Sequence, residues 1–223
     1  FGQKSQLIWD IPPNDSFAMN KANYGISNDD YEKRLKEMTA LFDIEEVIHK
    51  PTRVLSLGER MKCEFVMSML HQPEIVFLDE PTIGLDVIAK AKIREVIGEM
   101  NRRGTTFILT THDLEDVEQL AHRVIIINHG KKVFDDELQS LKSTLGNKKI
   151  ITLSLAEDYT AKDLGGVEVI SGDNPRKISV ELDLDKQGIR EFLNSVNETV
   201  SFMDISIKEL PMDRIITKIY NEE

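Results

Sequence analysis

The chain has 223 residues, 40% hydrophobic and 30% charged, with a formal net charge of −11. That composition suits one good-sized core or two modest ones, and the acidic balance argues against a nucleic-acid surface, where a basic stripe is expected. One cysteine, Cys63, excludes an internal disulfide. No apolar run approaches the roughly 20 residues of a membrane span, and no signal-peptide pattern is present, so a membrane role would come through a partner. The first residue is Phe1, inside what reads as a strand end, and the chain is taken as a piece whose natural N-terminus lies upstream.

Residues 1–7 run from that strand end into a polar loop, and Pro12-Pro13-Asn14-Asp15-Ser16 predicts a turn and a helix start. Ser27-Asn28-Asp29-Asp30 supplies cap candidates for a helix with Tyr31, Leu35, Met38 and Phe42 on one stripe. Pro51 breaks the chain. In Leu55-Ser56-Leu57-Gly58-Glu59, Ser56 and Glu59 have capping-box spacing, and the pattern predicts a helix over 57–71 with Met61, Phe65 and Met69 inward. The bland reading is a well-capped buried helix. The functional one is an anion site, with free amides at the helix start and Gly58 allowing a phosphate close to the backbone.

Ile75-Val76-Phe77-Leu78 reads as a strand buried on both faces, the parallel-sheet pattern, and it stops at Asp79-Glu80-Pro81. Two carboxylates at the carboxyl edge of such a sheet lie where phosphate ligands bind in open α/β folds. A tight loop through Gly84-Leu85-Asp86 leads to a helix reaching about Arg103, with Ile93, Val96, Ile97 and Met100 inward and Gly104 as its stop. The second strand, 105–110, completes a βαβ unit and ends at Thr111-His112-Asp113, which brings His112 to the edge occupied by Asp79 and Glu80.

A helix over 113–121, a strand over 124–127, a turn at Asn128-His129-Gly130, a strand over 132–134 and a helix over 137–145 follow. From about Lys148 the pattern becomes alternating. Ile151, Leu153 and Leu155, then Ile178, Val180, Leu182 and Leu184, predict half-buried strands, and Ile189, Phe192, Leu193 and Val196 make a helical stripe. A strand over 200–207 and a helix from Pro211 complete a small α+β domain.

Gln3, Leu55 to Glu59, Ile75 to Glu80, Gly84-Leu85-Asp86 and His112, in that order, resemble the nucleotide-binding subunit of an ABC transporter, most closely the exporter type. The resemblance covers about 1–142. It implies an α/β fold: a P-loop NTPase-type parallel sheet with a helical signature subdomain over 1–146, then the small α+β domain over 147–223. It implies ATP and Mg²⁺ as ligands. Gln3 matches the Q-loop glutamine near Mg²⁺. Leu55, Ser56, Leu57, Gly58 and Glu59 match the signature that clasps ATP held by the opposite subunit. Asp79 matches the Walker B aspartate near Mg²⁺, Glu80 the catalytic base, Asp86 the D-loop aspartate and His112 the switch histidine. It further implies a homo- or heterodimer with another ATP-binding subunit, an integral membrane permease, and a cytoplasmic position on the inner face of the cell membrane.

Two departures stand out. The family's signature has glycine where Leu57 stands and glutamine where Glu59 stands. No G-x-x-x-x-G-K-[ST] phosphate loop occurs in the 223 residues, so Walker A is expected upstream of Phe1 and these residues alone are expected to be inactive. The alternatives are an ABC-type ATPase without a membrane partner, and a non-catalytic, signature-bearing module that pairs with a complete subunit.

Overall fold

The computed structural model describes residues 5–143, 146–159, 163–171 and 174–221. Each helix of the first part starts or stops where local chemistry dictates. α1 (Pro13–Tyr24) opens on proline and ends at Gly25, whose φ of 61° is the left-handed stop that glycine permits. α2 (Asn28–Phe42) is capped by Ser27, whose side chain accepts from the Asp30 amide. It buries Tyr31, Met38, Thr39 and Phe42, close to the stripe expected. Two short 3₁₀ turns lead to α3 (Leu57–Met69). Strand β1 (Ile75–Asp79), helix α4 (Val87–Arg102) and strand β2 (Thr106–Thr110) form a parallel βαβ unit, with Asp79 opposite Thr110. Helix α5 (Leu114–Leu120) follows.

The core of this part is aromatic at its centre. Phe65 of α3 is fully buried, meets Phe42 edge-on at 5.4 Å and faces Phe107 of β2 at 6.1 Å. Ile93, Val96, Ile97 and Met100 of α4 are buried as their spacing predicts, and Cys63 is buried with its thiol pushed up to about 12 by that burial.

The structure corrects one expectation. β1 is buried on one face only: Val76 and Leu78 are covered, whereas Ile75 is 53% and Phe77 65% exposed. Ile108 of β2 is 49% exposed as well. Strand side chains alternate between faces, so an unbroken apolar run covers only the face that has a helix against it.

The later part contains the antiparallel pair β3 (Arg123–Asn128) and β4 (Lys131–Glu137), helix α6 (Leu138–Ser143), and strands β5 (Lys148–Leu155), β6 (Asp163–Leu164), β7 (Val167–Ser171) and β8 (Lys177–Asp183). Helix α7 (Ile189–Thr199), strand β9 (Phe202–Glu209) and helix α8 (Met212–Asn221) follow. β5 to β9 make one five-stranded sheet in the order β6-β7-β8-β5-β9, antiparallel throughout. Ile151, Leu153, Leu155, Ile178, Val180 and Leu182 bury one face with Phe192 and Val196 of α7.

By contact the chain divides into units 1–121 and 122–223. The boundary expected after residue 146 followed the change in sequence pattern; by contact, β3, β4 and α6 belong to the later unit. Among the described residues, no helix is long and apolar enough to cross a membrane.

Candidate functional site

The parallel register delivers two loops to one sheet edge. Asp79 ends β1, and its Oδ1 accepts a hydrogen bond from Thr110 Oγ1 at 2.6 Å across the strand pair. Glu80 follows with a φ of 51°, a left-handed conformation uncommon for a residue with a side chain. It is held there on both sides of its peptide: the Glu80 amide donates to Thr110 O at 2.9 Å, and the Ile83 amide donates to Glu80 O at 3.3 Å. This turn takes the Glu80 carboxylate to His112, whose Nδ1 lies 2.8 Å from Glu80 Oε1.

His112 is 73% exposed and Glu80 19%. The hydrogen bond to Glu80, and next the carboxylate's charge, raise the imidazole above its ordinary range; Asp113 adds to this and Lys90 opposes it. With Nδ1 carrying the proton toward Glu80, Nε2 is left for a second partner. The chemistry available is therefore a carboxylate that can accept a proton from water, backed by an imidazole that can donate.

Asp79 fits a hard divalent cation such as Mg²⁺. It is exposed, and the Thr110 bond occupies only Oδ1. Among the described residues no group of three His, Cys, Asp or Glu side chains stands together, and Mg²⁺ asks for none: one or two carboxylates suffice when phosphate and water supply the rest.

The signature stretch folds as its spacing predicts, and the structure adds reasons. The capping box is closed: Ser56 Oγ accepts from the Glu59 amide at 3.2 Å, and Glu59 Oε2 accepts from the Ser56 amide at 2.8 Å. The Ser56 amide holds the Glu59 carboxyl below its usual range, with the Ser56 hydroxyl as the next cause. Leu57 and Gly58 occupy the first two helical positions, so their amides have no intrahelical acceptor. Gly58 also has a packing reason. A Cβ there would stand 3.2 Å from Ala89 Cβ of α4, tight enough that the neighbour would have to give by a few tenths of an ångström. Leu57 in turn lies against the loop after Glu80, where a Cβ on Gly84 would be 3.2 Å from Leu57 Cδ2. Asp86 caps α4 by accepting from the Ala89 amide at 2.8 Å.

Glu80 and His112 are thus brought into contact, and Asp79 lies one residue from Glu80. Leu57 and Gly58 lie beside the Gly84–Ala89 segment that contains Asp86. Gln3 lies outside the described residues.

Sequence reasoning missed a buried polar cluster directly behind this edge. Asp116 of α5 is fully buried; its Oδ1 accepts from Arg94 Nε at 2.6 Å, and its Oδ2 accepts from Thr82 Oγ1 at 2.5 Å and Thr111 Oγ1 at 3.4 Å. Arg94, on α4 and 7% exposed, also pairs through Nη1 with Glu115 at 3.0 Å. Asp113 accepts from Lys90 Nζ at 2.5 Å, which with burial as the opposing influence holds its carboxyl low. The one available signal was Arg94 itself, a charge set next to Ile93 within the buried stripe of α4.

Known proteins resemble this chain over part of its length. Residues 12–116 match a family described as "AAA domain, putative AbiEii toxin, Type IV TA system". The chain is 30% identical over 144 residues to an uncharacterized ABC transporter ATP-binding protein of Alkalihalophilus pseudofirmus, covering 65% of this chain and 54% of that protein. It is 27% identical over 191 residues to the daunorubicin/doxorubicin resistance ATP-binding protein DrrA of Streptomyces peucetius, covering 82% of this chain and 57% of DrrA. The fold resembles a solved structure of an ATP-binding subunit of an ABC transporter, with a TM-score of 0.58, 24% identity, and coverage of 65% of this chain and 60% of that one. Over these stretches the chain is similar to ATP-binding proteins of ABC transporters. It spans about half the length of the curated relatives it matches.

Proposed function

We propose that the protein to which this chain belongs hydrolyses ATP and uses the cycle to drive export through a membrane permease. The observation that carries the chemical half of this reading is the Glu80–His112 pair at the carboxyl edge of β1 and β2, one residue from Asp79. In phosphoryl transfer a protein mainly positions groups and neutralises charge. Glu80 is set to orient the attacking water and accept its proton. His112 steadies that carboxylate through Nδ1 and offers Nε2 to a phosphate oxygen. Mg²⁺, when bound through Asp79, neutralises phosphate charge.

Leu55 to Glu59 act in the same cycle by presenting the start of α3 to the γ-phosphate of ATP carried by an opposing ATP-binding subunit. The amides of Leu57 and Gly58 and the positive end of the helix are the attracting elements. Asp86 lies at the same junction. Export is supported by the match to DrrA, which runs over 82% of the chain and so reaches into the antiparallel sheet unit.

The test is magnesium-dependent phosphate release by the purified whole protein, with and without its permease in liposomes. Turnover that needs Mg²⁺ and responds to the permease is expected. Absence of turnover with the permease present would overturn the reading.

A further inference from the structure

The sheet edge is served by two loops that need to hold one geometry, and the strands do not reach far enough to do this alone. Pro81-Thr82 follows Glu80, and Thr111 precedes His112. Neither loop lies in the β1–β2 ladder, which ends at the Asp79–Thr110 pair. Behind both stands one carboxylate. Asp116 Oδ2 accepts from the hydroxyl of Thr82, two residues after Glu80, and from the hydroxyl of Thr111, one residue before His112.

We propose that Asp116 is a positioning residue that sets the Glu80–His112 contact by tying the Thr82 and Thr111 loops to one buried point. The proposal rests on the reading of Glu80 and His112 as the working pair.

Five observations support it. Asp116 is fully buried, so its oxygens answer only to the protein. Arg94 fixes the other oxygen through Nε at 2.6 Å, which leaves Oδ2 for the two threonines. Arg94 and Lys90 also tether α5 to α4, through Glu115 and Asp113 respectively. Glu80 holds a left-handed φ of 51°, a conformation that persists where the surroundings over-determine it; the Thr82 bond fastens the turn just beyond. The Thr111 hydroxyl works in both directions: it donates to Asp116 and accepts from the Asp113 amide at 2.9 Å, which shapes the backbone around His112. A buried carboxylate bonded on both oxygens has two defined hydroxyl partners, and losing either one leaves an acceptor short in a low-dielectric site.

Titration of the His112 ring by NMR reads the proposal without nucleotide. Glu80, Asp113 and Lys90 are the charged groups that act on this imidazole. In the native protein, His112 is expected to titrate above the ordinary histidine range. Glu80→Gln is the reference and should bring His112 down toward ordinary histidine behaviour. Asp116→Asn, Thr82→Val and Thr111→Val each leave Glu80 and His112 in place. Each should lower the His112 midpoint by about half a pH unit or more.

If Glu80→Gln moves His112 and the folded variants behind the edge do not, the positioning role is wrong and the pair stands. If Glu80→Gln itself leaves His112 unmoved, the pair is absent in solution and the proposal falls with it. Should Asp116→Asn fail to fold, the two threonine variants decide, since each removes a single hydroxyl. The ATPase reading is decided separately, by turnover.

Discussion

The imidazole of His112 and the carboxylate of Glu80, 32 residues apart in sequence, meet at 2.8 Å because β1 and β2 run parallel and end at the same edge. Everything the site can do follows from that meeting, and so does its pH dependence. His112 has a folded-state pKa raised above the ordinary 6.5 by Glu80. The attraction within the pair is therefore complete below the unfolded value and is lost as pH rises through the raised folded value. The ring should titrate above 6.5 by NMR, and Glu80→Gln should abolish the elevation.

Glu59 serves its own helix. Its carboxylate accepts from the Ser56 amide, and its folded pKa is lowered, so its contribution is present above the ordinary carboxylate range and is lost as pH falls through the lowered value. Glu59→Gln keeps an acceptor at that place and should change stability by no more than about 0.5 kcal/mol at neutral pH. Glu59→Ala removes the acceptor and should cost about 1 kcal/mol. Urea unfolding of the two variants, side by side at pH 7, measures both.

Gly84 is needed for its backbone. Its φ is 73°, a conformation that side chains resist, and a Cβ would press on Leu57 Cδ2 at 3.2 Å. The Leu57 tip can give way, so the backbone cost dominates: Gly84→Ala should destabilise by about 1–2 kcal/mol. It should also disturb the turn between Glu80 and Asp86. Thermal unfolding checks the first effect, and the His112 titration checks the second.

Much of the fold is legible in the residues, because the signals are local. Ser27 and the Ser56/Glu59 box cap helices where their spacing says they should, and the four-residue rhythm of Met61, Phe65 and Met69 marks the buried side of α3. The stripe of Ile93, Val96, Ile97 and Met100 does the same for α4. The Glu80–His112 meeting is legible too, since a βαβ unit returns its second strand to the same edge.

What escapes the sequence is what depends on distant partners. The run Ile75 to Leu78 is apolar at every position, yet only Val76 and Leu78 are covered, because burial is decided by what packs on each face. Asp116 reads as one more acid on a surface helix, and only the approach of Arg94, Thr82 and Thr111 reveals it as the centre of a cluster. The tiny strand β6 has two residues, too few for any periodicity to register.

The most direct measurement is ATP binding and ATP turnover by the whole protein with Glu80→Gln, set against the native form. The amide keeps the size and much of the hydrogen bonding of glutamate but cannot take the proton of an attacking water. ATP affinity should stay within about threefold while turnover falls by about 100-fold or more. Turnover that stays within about a factor of two of native would contradict the assignment of Glu80 as the base, and with it the account of this site.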